Sequence, residues 1–388
     1  MNGVAQPAGA GRLASLDAFR GFDMCFIMAF DGLVASLAWL FSGIADWNAF
    51  LDASWIARQM RHVPWNGLHW IDCVFPTFLF IAGVSFPYSY AKQVARGDSP
   101  RAIHLRLLRR ALVLIALGVA YNGFFGLEFP MRYGSVLGKI GFAWGFAALL
   151  YVHFRAKARV GIAFGILLAY WLVTRFVPAP DAPPGTDVFT AAGCFAGWVD
   201  RMIMPGVFYC KDPATGRSLL EPNGLVVCVA AVPTAMFGML AGDFVRSALS
   251  GAKKAAFMLL AAAALVALGL LVSLSFPINK IMWSPSFTLV AGGGSLAFFA
   301  AFYWLMDVKG WRRWAFFFRV IGMNSIFIYL FQRVVPVRTV SLFFVGGLAR
   351  LVDPGEGAAW SCIVYAGQIA VCWLVLYFLY RKQTFLRT

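Results

Sequence analysis

Charge is scarce in this chain. Only 13% of its 388 residues are Asp, Glu, Lys or Arg, against roughly a quarter in a soluble globular domain. Acid is the scarcer sign, with 17 carboxylate side chains against 33 basic ones, and histidine occurs only four times. Of the seven cysteines none forms a CxxC pair or a Cys/His spacing suited to zinc, so no metal centre and no dense disulfide framework is expected. Cys194 and Cys210, which share one polar stretch, are the pair for which a disulfide stays open. Walker loops, zincin pairs and GxSxG elbows are absent, which argues against P-loop, zincin-type and serine-hydrolase chemistry. Nor is there an Arg-rich transit segment or a cleavable leader; Met1–Arg12 reads as a short Ala/Gly-rich tail.

What is abundant is apolar surface. Hydrophobic residues make up 61% of the chain and the mean hydropathy is +0.74, values that call for a bilayer as solvent. Apolar stretches of spanning length fall at 20–42, 69–91, 107–125, 135–153, 160–178, 224–245, 255–276, 286–306, 315–333 and 358–380. The piece 339–351 is too short for a span and reads as re-entrant or interfacial. The expected fold is an all-α polytopic integral membrane protein with about ten transmembrane helices, each needing roughly 17–25 residues, and one domain over 1–388.

The net charge of +16 admits two readings, nucleic-acid binding or the positive-inside rule. The positions decide for the membrane. With the N-terminus inside, Lys92, Arg96, Arg101, Arg106, Arg155, Lys157, Arg159, Arg246, Lys253, Lys254, Lys309, Arg312, Arg313, Arg381, Lys382 and Arg387 all fall in cytoplasmic loops. Asp46, Asp52, Glu128, Asp181, Asp187, Asp200, Asp212 and Glu221 fall outside. Both termini are therefore expected in the cytoplasm, with no nucleic-acid partner, and the bacterial inner membrane is the expected location.

Two exterior segments, 43–68 and 179–223, are longer than a connection requires; such loops are either solvated connectors or functional lids. The second contains an amphipathic stretch around Phe195–Met204. Ionisable residues inside or beside a span are the natural site candidates. Ser15-Leu16-Asp17-Ala18-Phe19-Arg20-Gly21 opens the first span, with Asp17 and Arg20 one turn apart, either as a local ion pair or as an anion site on the cytoplasmic face. Asp23 and Asp31 lie deeper. His62 stands just outside the second span and Asp72 just within it. On one continuous helix they would be about 15 Å apart, and only a fold-back before Pro64 would bring them together. Arg106, Arg109 and Arg110 open the third span. Asn324 and Gln332 are spaced to share one helical face, as helix–helix glue or as site residues.

Several ordered motifs resemble those of the heparan-α-glucosaminide N-acetyltransferase family. They are Ser15–Gly21 (SLDAFRG), His62–Leu68 (HVPWNGL) with Asp72–Pro76 (DCVFP), Gly134–Gly141 (GSVLGKIG), Glu221–Leu225 (EPNGL), Pro277–Trp283 (PINKIMW), Asp307–Gly310 and Gly322–Ile326 (GMNSI). The resemblance implies a membrane acyltransferase that carries acetyl from cytoplasmic acetyl-CoA to an amino sugar or related glycan outside, without a metal. It implies that His62 matches the catalytic histidine and Asp72 its acidic partner. Asp31 stands where eukaryotic members carry asparagine, and Glu221-Pro222-Asn223 replaces a more usual Asp-Pro-Glu. On the same reading Arg20, Arg106, Arg109 and Arg110 receive the coenzyme A phosphates, and Asn66, Lys280 and Asn324 join the substrate-binding set. A homodimer is compatible with it. An O-acyltransferase of envelope polysaccharide, and a transporter coupling protons through Asp31 and Asp72, remain as alternatives.

Overall fold

The computed structural model describes residues 13–124 and 129–386, with Phe124 described through its backbone alone. The Met1–Arg12 tail, Glu128, Arg387 and the last residue of the 107–125 span lie outside the described residues. The chain is almost wholly helical. In order the helices are α1 (Ala14–Cys25), α2 (Asp31–Leu40), α3 (Trp47–Ala53), α4 (Trp55–Gln59), α5 (Val74–Ala95), α6 (Pro100–Val119), α7 (Val136–His153), α8 (Ala156–Phe176), α9 (Phe195–Ile203), α10 (Leu225–Val245), α11 (Gly251–Ser273), α12 (Pro285–Tyr303), α13 (Phe316–Gly322), α14 (Ser325–Val334), α15 (Val337–Val352) and α16 (Ala358–Arg381). A two-stranded antiparallel ribbon pairs Cys210–Lys211 with Ser218–Leu220.

Among the described residues eight helical stretches are long and apolar enough to cross a membrane, and α14 with α15 makes a ninth candidate bent by 79°. α6 falls outside that set because it carries Arg101, Arg106, Arg109 and Arg110. The protein is a multi-pass integral membrane protein. α5 and α10 bury most of their surface inside the bundle, whereas α8, α11 and α16 leave most of theirs facing outward, where lipid is the solvent.

The first and ninth spans are interrupted where the sequence predicts one helix. The first is not straight: a wide π turn at Phe26–Phe30, with Ala29 at φ 78°, separates α1 from α2 and re-aims the chain ahead of Asp31. The stretch 315–333 is not one helix either. It breaks at Met323–Asn324, so Asn324 does not share a helical face with Gln332. Asn324 instead binds the C-terminal tail, donating Nδ2 to the Thr384 carbonyl at 2.9 Å and accepting Leu386 N–H at 3.0 Å. An amide with one donor and one acceptor pointing the same way satisfies an extended strand better than a helix. The short piece expected at 339–351 lies within the helix α15, which is bent by 79° from α14 as in a broken span or a re-entrant loop.

Contacts sort the loops into two ends. At one end α6 meets α7 through His104 and His153, Arg159 and Tyr151 bind Asp243 at 2.8 and 2.6 Å, and Ser15 bonds to Asp307. This end gathers the basic loops. At the other end lie His62, Asp72, Lys280 and the 179–223 segment. There Glu221 is fully buried and accepts both Nε (2.8 Å) and Nη2 (2.5 Å) of Arg132, together with Tyr209 N–H and Asn223 N–H at 3.1 Å each. The carboxylate therefore clamps three separate stretches of loop. Arg132→Ala is expected to cost about 3 kcal/mol, the lower end for breaking a buried ion pair because the two backbone donors remain. Arg132→Lys, which keeps the charge and loses the fork, should fall between; thermal melts of the solubilised protein measure both.

Candidate active site

The fold-back that would unite His62 with Asp72 is present. α4 ends at Met60, and residues 61–69 run without helix, turning at Gly67 with φ 125°, a conformation open to glycine. Three bonds pin the turn to neighbouring loops. Gly67 N–H donates to the Ile278 carbonyl (2.8 Å), Asn279 Nδ2 donates to Asn66 Oδ1 (3.1 Å), and Trp65 Nε1 donates to the Phe189 carbonyl (2.8 Å).

Asp72 closes the loop. Its Oδ2 accepts Val63 N–H at 3.3 Å and His69 N–H at 3.2 Å, while its Oδ1 lies 2.7 Å from His62 Nδ1 and accepts from Lys280 Nζ at 3.1 Å. Four donors on one carboxylate favour its ionised form. The Asp72 side chain is only 2% exposed, but that of His62 is 63% exposed. A buried anion thus holds one edge of an imidazole whose other edge faces outward.

The tautomer follows. Nδ1–H pointing at Asp72 leaves the lone pair on the outward Nε2. Lys280 Nζ sits 3.1 Å from Nδ1. The lysine's own pKa is lowered by burial, although Asp72 works in the opposite direction. In the neutral ring the Asp72 contact places the basic lone pair at Nε2.

Lys280 is held by a rigid loop. Asn279 is buried, its side-chain oxygen accepts Met282 N–H at 2.8 Å, and its N–H donates to Ser284 Oγ at 3.0 Å. Ser284 also caps α12 through Phe287 N–H. Trp283, at φ 53°, turns its ring beneath the site. Over that ring, at 4.0 Å, lies Nζ of Lys139, a buried amine on α7 with no ion-pair partner among the described residues. Asn279, Trp283 and Lys139 are further candidate residues beside the site that the sequence reading did not single out. All three sit inside its matched motifs, and for Lys139 the available signal was a lysine in the middle of an apolar span.

The remaining candidates separate into two groups. Asp31 begins α2, is half-buried, and lies within electrostatic reach of His62. Asn66 orients the loop through Asn279. Arg20 and Arg110 instead line a cavity of about 370 Å³ toward the basic end, with Ser85, Phe78, Tyr329 and the tail residues Phe385 and Leu386. Arg20 ties α1 to its neighbours: Nη2 donates to Ser85 Oγ at 3.0 Å, Nη1 to the Gly322 carbonyl at 3.4 Å, and Asp17 lies 3.6 Å away. This closeness needs Gly21 and Gly322, where an added Cβ would fall 1.7 Å from the Phe318 carbonyl and 1.9 Å from the Asp17 carbonyl. Arg110 stacks on Trp144 at 4.1 Å. Arg109, one residue earlier, is exposed and is not part of the cavity wall. Arg106 is engaged by Asp98 and Gln93.

The cavity and the histidine site meet at Phe75. Its ring forms part of the cavity wall, packs edge-on against Trp283 at 5.1 Å, and lies three residues beyond Asp72. At the end that holds His62, burial pushes the pKa of Asp200 up to about 7, and Cys194 and Cys210 are separate free thiols.

No family model matches the chain. It is similar to two curated proteins named heparan-alpha-glucosaminide N-acetyltransferase. One is from Homo sapiens, 25% identical over 369 residues that cover 82% of this chain and 52% of the relative. The other is from Mus musculus, 26% identical over 372 residues, covering 83% and 53%. The chain is thus a distant relative of these proteins and spans about half their length.

Proposed function

We propose that the protein is a membrane acetyltransferase that takes acetyl from acetyl-CoA at its basic, cytoplasmic end and passes it to an amino sugar or related glycan outside. The observation that carries this reading is the meeting at Phe75 of two half-sites: an outward base, His62 on Asp72, and a cavity with Arg20 and Arg110 in its wall. Two guanidiniums beside an apolar channel suit the phosphates and extended arm of a coenzyme A thioester. The distant relatives, named as N-acetyltransferases, support the same class.

In this scheme His62 Nε2 removes the proton from the acceptor nitrogen as that nitrogen bonds to the acetyl carbon. The carbon–sulfur bond breaks and the proton passes to the departing thiolate, so the balance closes without a metal. The same lone pair could instead take the acetyl group first and surrender it to the acceptor. Asp72 stabilises the imidazolium in either case. A hydroxyl acceptor is served by the same base, which keeps O-acetylation of an envelope polysaccharide as the second reading. A proton-coupled transporter fits less well, because Asp72 has four donors and no spare valence for a travelling proton.

Acetyl-CoA at millimolar concentration should raise the melting temperature of the solubilised protein, since a ligand of the folded state stabilises by mass action. Arg20→Ala and Arg110→Ala should each shrink the shift, whereas Arg109→Ala should leave it nearly whole. Absence of any shift in the unmodified protein would count against the donor assignment. Transfer of labelled acetyl to a panel of amino sugars in membrane vesicles then tests the acceptor class.

A further inference from the structure

The loop that carries His62 has a second face, and it is apolar. α2, α3 and α4 enclose a groove of about 560 Å³ walled by Leu37, Phe41 and Ile56. A second groove, of about 420 Å³, is walled by Ile56, Trp55, Met60 and Trp70, and it runs to His69 and Cys73 on either side of Asp72. Ile56 is common to both. The apolar surface is thus continuous from α2, whose Leu37, Leu40 and Phe41 are exposed, to the back of the catalytic loop.

Two cations belong to the same segment of chain. Arg58 lies one helical turn after Trp55 on α4, and Arg61 directly precedes His62. Both are exposed, and neither guanidinium has a carboxylate or hydrogen-bond partner among the described residues. Elsewhere on this face Arg132 is bound to Glu221, and Arg201 and Arg217 to Asp181. Arginines on the outer side of a membrane run against the usual charge bias. An apolar trough on a segment that also carries two guanidiniums without a partner among the described residues is complementary to an amphiphile with an anionic head.

We infer that the acceptor sugar is presented on a phosphate-bearing lipid. The hydrocarbon tail lies in the groove walled by Leu37, Phe41 and Ile56, and the phosphate between Arg58 and Arg61. This inference rests on the acyltransferase reading and names its acceptor class. Arg61 directly precedes His62, so the phosphate site and the base belong to one loop.

The test uses the full chain in nanodiscs of uncharged lipid and a prenyl phosphate bearing a diazirine in its tail. A neutral prenol of the same length and inorganic phosphate serve as comparisons. The phosphate probe is expected to crosslink within 34–60, to be competed by unlabelled prenyl phosphate and not by inorganic phosphate, and to bind at least about tenfold more tightly than the prenol. The double variant Arg58→Gln, Arg61→Gln should lose at least about that factor, the scale of a few charge-assisted hydrogen bonds. Equal labelling by the prenol would show that the groove holds bulk lipid, and competition by inorganic phosphate would show a free-anion site; either overturns the inference, as would unchanged binding in the double variant. The acetyl-CoA melting shift, read on the same samples, separates the two claims. A shift without prenyl phosphate binding removes the lipid acceptor alone, and prenyl phosphate binding without a shift removes the donor assignment alone.

Discussion

His62→Ala should abolish most acetyl transfer while leaving the protein folded and able to bind its donor. Loss of a positioned general base lowers turnover by about 10²–10⁴-fold, and the same substitution removes an acyl carrier if the histidine serves as one. The stability cost should be small, within roughly 0.5 kcal/mol, as for exposed positions generally. The imidazole is mostly exposed, and Asp72 keeps Lys280 and two backbone N–H donors without it. The acetyl-CoA melting shift should therefore survive, because Arg20 and Arg110 lie in the cavity toward the opposite end. His69 is the internal comparison. Its Nδ1 lies 2.7 Å from the Arg61 carbonyl, so it braces the loop one residue from His62. His69→Ala should cost well under the histidine-base factor, as a supporting contact does. Acetyl transfer by purified His62→Ala at a near-normal rate, beside an active unmodified enzyme, would remove His62 from the mechanism and turn attention to Asp31.

The legible part of this molecule was its apolar patterning. Residues 135–153 were read as a span and α7 runs Val136–His153; 224–245 became Leu225–Val245. Such helices follow from length and hydropathy because no other backbone structure satisfies itself in lipid. The third span began seven residues before its apolar run, at Pro100, because Ser99 caps it and the bilayer edge tolerates its arginines. The breaks were not legible. Neither the π turn at Phe26–Phe30 nor the break at Asn324 carries a proline; the latter is set by a tail some sixty positions away, and no local rule reports it. The site divides likewise. His62 and Asp72 were visible as residue types in the right place, but their 2.7 Å contact depends on a turn held by Ile278, Asn279 and Phe189. Those partners come from loops more than a hundred residues distant, and sequence spacing is blind to them.

That geometry changes what Asp72→Asn should do. Were the carboxylate only a source of negative charge, the amide would be an intermediate lesion, milder than loss of His62. The backbone argues otherwise. Val63 N–H and His69 N–H both point at Oδ2, so the amide oxygen must occupy that position; an NH2 there would face two donors. The NH2 is then forced into the place of Oδ1, facing His62 Nδ1 and Lys280 Nζ. To accept from it, Nδ1 must carry the lone pair, which moves the ring proton to the outward Nε2 and removes the base. Lys280 meanwhile loses its counter-ion and meets another donor. The same amide-for-carboxylate exchange in a serine-protease triad costs about 10⁴ in turnover through the wrong tautomer. Asp72→Asn should accordingly fall close to His62→Ala, and the double variant should be little worse than either alone, as expected for residues acting as a unit. Turnover numbers for the two single variants and the double, with the acetyl-CoA melting shift as a check on folding, make the measurement. If Asp72→Asn stays within about tenfold of the unmodified enzyme, or if the two losses multiply, then Asp72 does not set the His62 tautomer.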